Sequence, residues 1–382
     1  MKVKSITTLV LLVCGLQLHA QQTDSPSRPM GAQCGDRPCS LSALITRYRQ
    51  RFSGTQALSV PSESTVDANS GTFTTFDVPG DAQGTYPYSI NAKGLITGYY
   101  GDSSGIPHGF VRAADGTITT FDVTGAVFGT NPYAINTAGI ITGWYYDPTA
   151  THGFLRTSDG RIKTFDVPGS SGTWPIGIDS AGTITGIWYD ASGVNYGFLR
   201  SNKGTFTSFD LPGGEVINLS GIINPGGEVT GYYFDQNQLV HSYVWADGTL
   251  TTFDAPNVCQ TSNGTFAVGI NRSGVIAGVY YDAGCADFHG FLRSADGTLT
   301  TVDFPGAQAT TLETINASGT SSGTAYLSSG FTAFYRTPSG KFVTYSIPGP
   351  TFLDTSLNSA GSITGSYQDS NGATHGYLWT KQ

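Results

Sequence analysis

Charge is scarce in this 382-residue chain: only 12% of residues are Asp, Glu, Lys or Arg, and Met occurs 2 times and Cys 5 times. Lys and Arg number 19 against 27 Asp and Glu. That balance argues against a nucleic-acid partner, whose binding depends on neutralised phosphates. Long apolar runs are missing too. The stretch from Leu9 to Leu18 is shorter than the ~20 residues needed to span a bilayer, so no membrane span is expected. It follows Lys2 and Lys4 and precedes the small residue Ala20. Residues 1–20 are therefore expected to be a secretory signal peptide, leaving an extracellular or periplasmic chain that is more acidic still. Cys14 leaves a lipoprotein alternative open, although bulky Val13 precedes it.

What is abundant is 51 Gly, 20 Tyr and 21 Phe, a composition of short strands joined by turns. A chain of this size buries about three quarters of its unfolded surface, so a large core is available. Past the signal, four cysteines form two local pairs, Cys34 with Cys39 and Cys259 with Cys285. In an oxidising compartment these read as two disulfides. Neither pair has the neighbouring His or second Cys pair of a zinc site, so no metal is expected. Residues 21–70 read as a Ser, Gln, Pro and Thr rich linker with one short helix in "SLSALITRYRQRF", capped by Ser40. The exposed row Arg47, Arg49 and Arg51 leaves a docking patch as the alternative there.

From Gly71 onward the chain repeats. Phe-Asp pairs begin at Phe76, Phe121, Phe165, Phe209 and Phe253, and divergent copies at Val302 and Tyr345, spaced 43 to 49 residues apart. A period near 44 without helical pattern falls in the range of four-stranded propeller blades. In residues 131–169, "PYAIN" and "IITGWYY" flank Thr137-Ala138-Gly139, while "HGFLR" and "RIKTFDV" flank Ser158-Asp159-Gly160. Both pairs read as tight hairpins. The first element, "GTFTTFDV", lacks an "HGFLR" partner, and the last, "HGYLW" at His375, lacks a "TFD" partner. The two ends complete each other. The expected fold is all-β: a seven-bladed β-propeller over residues 71–382, monomeric, closed by pairing Thr72 to Val78 with the last hairpin. "GIN" and "ITG" are the two inner strands of each blade.

These units resemble the HAF-repeat family of extracellular bacterial proteins, named for a His-Ala-Phe core followed by a "GxIN...GxxxG" stretch. Most copies here carry Gly for the Ala, as in His152-Gly153-Phe154, and one keeps Ala333-Phe334 with Thr332 for the His. The resemblance implies secretion and repeat architecture. It implies no activity and transfers no catalytic residues.

The histidines at 108, 152, 241, 289 and 375 share one repeat column, which points to a structural hydrogen bond more than to a ring of functional imidazoles. Two aspartate columns, Asp77, Asp122, Asp166, Asp210, Asp254 and Asp303, then Asp102, Asp147, Asp190, Asp235, Asp282 and Asp369, precede turn residues and read as turn caps. No calcium spacing supports them. The Asn column from Asn91 to Asn358, with Asp179 as its exception, needs only a turn role. Tyr100, Tyr145, Trp188, Tyr233 and Tyr280 are expected to fill space between blades. No serine nucleophile motif, phosphate loop or dinucleotide fingerprint appears, so no cofactor is expected.

Function is sought where columns break. Glu313 stands where Tyr88, Tyr133, Ile176 and Val268 stand in other units, and Asp354 stands where Pro87, Pro132 and Pro175 do. A variable column at the start of each inner strand holds Tyr86, Asn131, Trp174, Leu219, Phe266, Thr311 and Leu353. The expected site is a stacking platform of Tyr86, Trp174 and Phe266, with Glu313 and Asp354 as polar contacts for a glycan or other extracellular polymer, or for a surface protein. Two alternatives remain: a propeller lyase or glycoside hydrolase using Glu313 and Asp354 as paired acids, and a purely structural matrix protein.

Overall fold

The structure is a computed structural model and describes residues 66–68, 71–210, 222–237, 239–260, 264–349 and 351–381. These residues form strands β1 to β29 in chain order, with no helix, within the unit Gly54–Gln382. The expected signal peptide, the helix after Ser40 and the Cys34–Cys39 pair lie outside the described residues.

The first complete repeat shows how the sequence acts locally. β3 (Thr85–Ile90), β4 (Ile96–Gly101), β5 (Pro107–Arg112) and β6 (Ile118–Phe121) pair antiparallel in sequence order. Between β3 and β4 the Asn91 side chain accepts the amides of Lys93 and Leu95, and Gly94 takes φ 78°. Gly116 closes the β5–β6 turn at φ 94°. Residues with a Cβ disfavour both conformations, so Gly is needed there.

The meander recurs in β7–β10 (130–165), β11–β14 (172–209), β15–β18 (222–253), β19–β22 (265–302) and β23–β26 (309–345). One parallel bridge, Gly172 to Thr151, joins β7–β10 and β11–β14 into an eight-stranded sheet. No sheet among the described residues closes on itself. The last sheet contains β27 (Thr351–Leu357), β28 (Ile363–Gln368) and β29 (Thr374–Thr380), and its fourth strand is β2 (Thr72–Phe76) from the other end of the chain. Thr72 faces Thr380 and Phe76 faces Gly376.

Two details correct the sequence reading. β2 ends at Phe76 rather than Val78, because the Val78 amide leaves the ladder to donate to Thr85 Oγ1 at 3.0 Å. The segment before Gly71 is not only linker: β1 (Val66–Ala68) runs parallel to β26, with Val66 opposite Phe342.

First strands of successive sheets touch: β3 with β7, then β11, β15, β19, β23 and β27 in turn, and β27 with β3. The Asn column reinforces these contacts and so has more than a turn role. Nδ2 of Asn91 donates to the carbonyl of Asn136 at 2.9 Å, Asn136 to Asp179 at 3.0 Å, Asn224 to Asn271 at 3.0 Å, Asn316 to Asn358 at 2.8 Å, and Asn358 to Asn91 at 3.1 Å. Asp179 has no side-chain N–H to pass on. Asp179→Asn is therefore expected to add one buried hydrogen bond, to Asn224, and raise stability by about 1 kcal/mol in denaturant melts. An unchanged or lowered midpoint would contradict this role for the column.

Side chains clamp neighbouring sheets as well. The guanidinium of Arg112 lies 4.9 Å from the Phe76 ring, Arg156 4.7 Å from Phe121, Arg200 4.7 Å from Phe165 and Arg293 4.6 Å from Phe253. Each bridges the third strand of one sheet to the fourth strand of the preceding one. Where Arg is absent, Trp245 stacks on Phe209 and Trp379 on Tyr345.

Candidate functional site

The histidine column is built the same way in five sheets. Nδ1 of His108 lies 2.8 Å from Asp122, His152 2.9 Å from Asp166, His241 2.7 Å from Asp254, His289 3.0 Å from Asp303 and His375 2.9 Å from Asp77. Nε2 of His152 is 3.2 Å from Asp147, and those of His108, His241 and His375 are 3.6 to 3.7 Å from the matching aspartates. One ring face packs on a tyrosine, as His108 does on Tyr100 at 5.3 Å and His289 on Tyr280 at 5.3 Å. These tyrosines also pack against the preceding sheet, as expected of rings that fill space between blades: Tyr100 lies with Phe76 and Val78, Tyr145 with Phe121, and Tyr280 with Phe253. Backbone amides of Ile106 and Ser104 hold the Asp102 carboxyl below the usual carboxylate range, and the Thr149 hydroxyl does so strongly for Asp147. Its hydrogen bond to the accepting Asp303 carboxylate raises the His289 imidazole. Tyr196 replaces the histidine in β13, its hydroxyl 3.3 Å from Asp190 and its ring stacked on Trp188. Imidazoles held between carboxylates in this way brace strand ends.

The column break at Glu313 has a different character. A bulge falls at equivalent places in the β3–β4 and β23–β24 pairs, between Pro87 and Ser89 and between Leu312 and Thr314. In the first pair the three matching positions are Tyr86, Tyr88 and Tyr99. Tyr86 stacks on Tyr99 at 4.8 Å, and Tyr88 stacks on Tyr133 of β7 at 4.9 Å, which packs on Trp144 at 5.4 Å. Burial pushes the Tyr99 hydroxyl far above its usual value. In the second pair the same positions are Thr311, Glu313 and Thr324. Both threonine hydroxyls donate to Oε1 of half-buried Glu313, at 3.0 and 2.8 Å. In β24, Ser321 and Ser322 are fully buried with unpartnered hydroxyls, and of the two Ser322 shares the strand face of Thr324. An aromatic layer thus gives way to an oriented carboxylate and a cluster of hydroxyls. Thr311 was read in the sequence only as a member of the variable column, and Thr324 was missed; aligning strand registers would have flagged the pair, because they stand where Tyr86 and Tyr99 do.

The remaining expected site residues are not all presented to solvent. Phe266 is 0% exposed, packed edge-on against Tyr232 at 5.0 Å, and Tyr86 is 6% exposed with its hydroxyl on the Gln83 carbonyl. A three-ring stacking platform is therefore corrected: two of its rings are core. Trp174 is half-buried, tilted against Tyr189 at 5.2 Å and beside the Tyr146 hydroxyl, which burial pushes up to about 12. Asp354 lies in β27 opposite Gly365, and its side chain is outside the described residues. Cys259 and Cys285 are bonded, tying the β18–β19 connection to the β20–β21 connection.

No family model and no curated protein matches the chain. Solved structures are similar in fold. A catalytically inactive virginiamycin B lyase from Staphylococcus aureus, with quinupristin, is 16% identical and superposes over 81% of this chain and 99% of its own, with a TM-score of 0.56. The β-propeller domain of the Trilobed protease from Pyrococcus furiosus, described with an open velcro topology, is 9% identical over 77% and 96%, with a TM-score of 0.56. The fold is a β-propeller. Puromycin hydrolase is 12% identical over 81% of this chain and 55% of its own, with a TM-score of 0.52. At such identities the likeness speaks for fold alone, since propellers host unrelated functions.

Proposed function

We propose that the chain is a secreted, seven-bladed β-propeller of the HAF-repeat type, closed by β2, which binds an extracellular glycan or similar polymer without catalysis. The β2–β29 pairing, the Asn358 to Asn91 hydrogen bond and the cyclic contacts of first strands support closure. The Cys259–Cys285 bond suits an oxidising compartment, and no helix among the described residues is long and apolar enough to cross a membrane.

The observation that carries the binding reading is the exchange of Tyr86, Tyr88 and Tyr99 for Thr311, Glu313 and Thr324 at matching positions. Buried polar groups are normally satisfied, so the unpartnered Ser322 hydroxyl on the strand face of Thr324, together with the aligned carboxylate, supports a place prepared for a polar ligand or its waters. Trp174 supplies the half-exposed ring for sugar stacking, and Asp354, on the adjoining first strand, a second carboxylate. A glycan array identifies the ligand. Glu313→Gln and Trp174→Ala are then expected to weaken its binding by about 1 to 3 kcal/mol each while leaving the fold intact. Wild-type affinity in both variants would remove the site from these residues.

A second reading, lyase or hydrolase, is favoured by the enzymes among the structural neighbours. Glu313 and Asp354 would be its acids. The neighbouring lyase is named as inactive when one histidine is replaced by alanine, whereas every described histidine here is braced in the His–Asp column of third strands. That difference supports binding over chemistry.

A further inference from the structure

Lys and Arg among the described residues are segregated to one sheet end. In each meander the second strand ends, the third begins and the fourth ends on one side, and the hairpin turns lie on the other. Both aspartate columns follow second or fourth strands and therefore share the side of the long connections. Those after fourth strands are well exposed, from 36% for Asp254 to 48% for Asp122. No described Lys or Arg lies on that side. Lys93, Lys203, Arg272 and Lys341 sit in the opposite turns, and Arg112 and Arg156, like the other clamping arginines, are the last residues of third strands, next to those turns. Histidines are the only potential cations on the acidic side among the described residues.

Two further features mark the same side. Val127 and Phe128, in the connection between β6 and β7, are 53% and 56% exposed and stand out as large exposed apolar residues. Asp122 precedes them in that connection, and Asp147 and Asp166 follow β8 and β10. Close by in β7, Asn131 is 1% exposed, yet neither atom of its amide has a hydrogen-bond partner. Around the closure, an open cleft of about 370 Å³ is lined by Asp77, Asp81, Gln83, Thr374 and His375.

We propose that the acidic side docks a cationic polymer, specifically a glycan bearing free amino groups. This rests on the binding reading above and narrows its ligand class. The aspartates attract the ammonium groups and repel uronate or sulfated chains, and Phe128 offers an apolar face to a pyranose ring, three residues before the unsatisfied amide of Asn131.

The test compares a β-1,4-linked glucosamine hexamer with its N-acetylated counterpart by calorimetry on the intact protein. The amine form is expected to bind at least about tenfold more tightly and to weaken about tenfold between 50 and 300 mM salt, as screening of exposed charges requires. Phe128→Ser, an exposed change that spares the fold, and the pair Asp122→Asn with Asp166→Asn should each lower affinity severalfold. Asp115→Asn with Asp296→Asn, on the opposite side, should not. Equal or tighter binding of the acetylated form overturns the cationic assignment while leaving the glycan reading intact, and binding of neither also overturns the cationic assignment, the broader reading being decided separately by the glycan array. Equal binding of polylysine overturns the sugar-specific part and leaves charge alone.

Discussion

Removing residues 71–78 destabilises this protein more than any single side-chain change. The segment places Phe76, 8% exposed, edge-on to Phe110 and beneath the Arg112 guanidinium, and it stacks Phe73 on Tyr377 at 5.2 Å. It also supplies Val78, 2% exposed, the Thr75 hydroxyl bonded to Tyr367 at 2.9 Å, and the Asp77 partner of His375. Burial of two phenylalanines and a valine is worth roughly 5 kcal/mol or more, a large part of the 5–15 kcal/mol that typically holds a domain together. β29 would then face solvent as an unpaired edge, with added aggregation. Denaturant unfolding should show a lower midpoint and a shallower slope, the sign of lost cooperativity. A deletion that melts like the intact chain would mean that the ends do not lock the structure.

The second large effect belongs to the disulfide. Cys259 and Cys285 are 26 residues apart and join two connections on the same side of the β19–β22 sheet. Closing a loop of that length restricts the unfolded chain by about 3 to 4 kcal/mol on the chain-entropy account. Cys259 is also 2% exposed, next to buried Val258. The double change Cys259→Ser with Cys285→Ser, or reduction of the native protein, should lower stability by that amount, and non-reducing peptide mapping should recover the linked pair. Free thiols at both positions, or a midpoint indifferent to reductant, would contradict the assignment.

The fold was legible in this sequence because its unit is short and local. Gly94 and Gly116 mark hairpin turns that only positive φ satisfies, and alternating Tyr, Phe and Thr mark strands between them. The pairing of β2 with β29 was legible by subtraction, because one strand of each type lacked its partner. Other features depend on neighbours distant in sequence. Nothing in Val66 to Ala68 announces a parallel partner in β26, and nothing in Arg112 names Phe76. The site was half legible. Glu313 stood out as a carboxylate in a column of Tyr, Ile and Val, and Thr311 as a member of the variable column, but Thr324 and the bonding of both threonines to Glu313 appear only once the bulge aligns β23 with β3. Phe266 and Tyr86 misled because variability in a column reads equally as ligand contact and as private packing, and packing prevails where the ring is shielded. The charge segregation needed only strand direction, since an aspartate that ends an even strand always falls on the same side.

Binding without turnover is the central claim, and equilibrium dialysis against the array ligand, with mass analysis of the ligand after prolonged incubation, tests it most directly. The ligand should be retained by the protein and recovered unchanged, and Glu313→Gln should release it. Shortened or unsaturated products from the wild-type protein, absent with a Glu313→Gln variant that still retains the ligand, would contradict the claim and make Glu313 a catalytic acid.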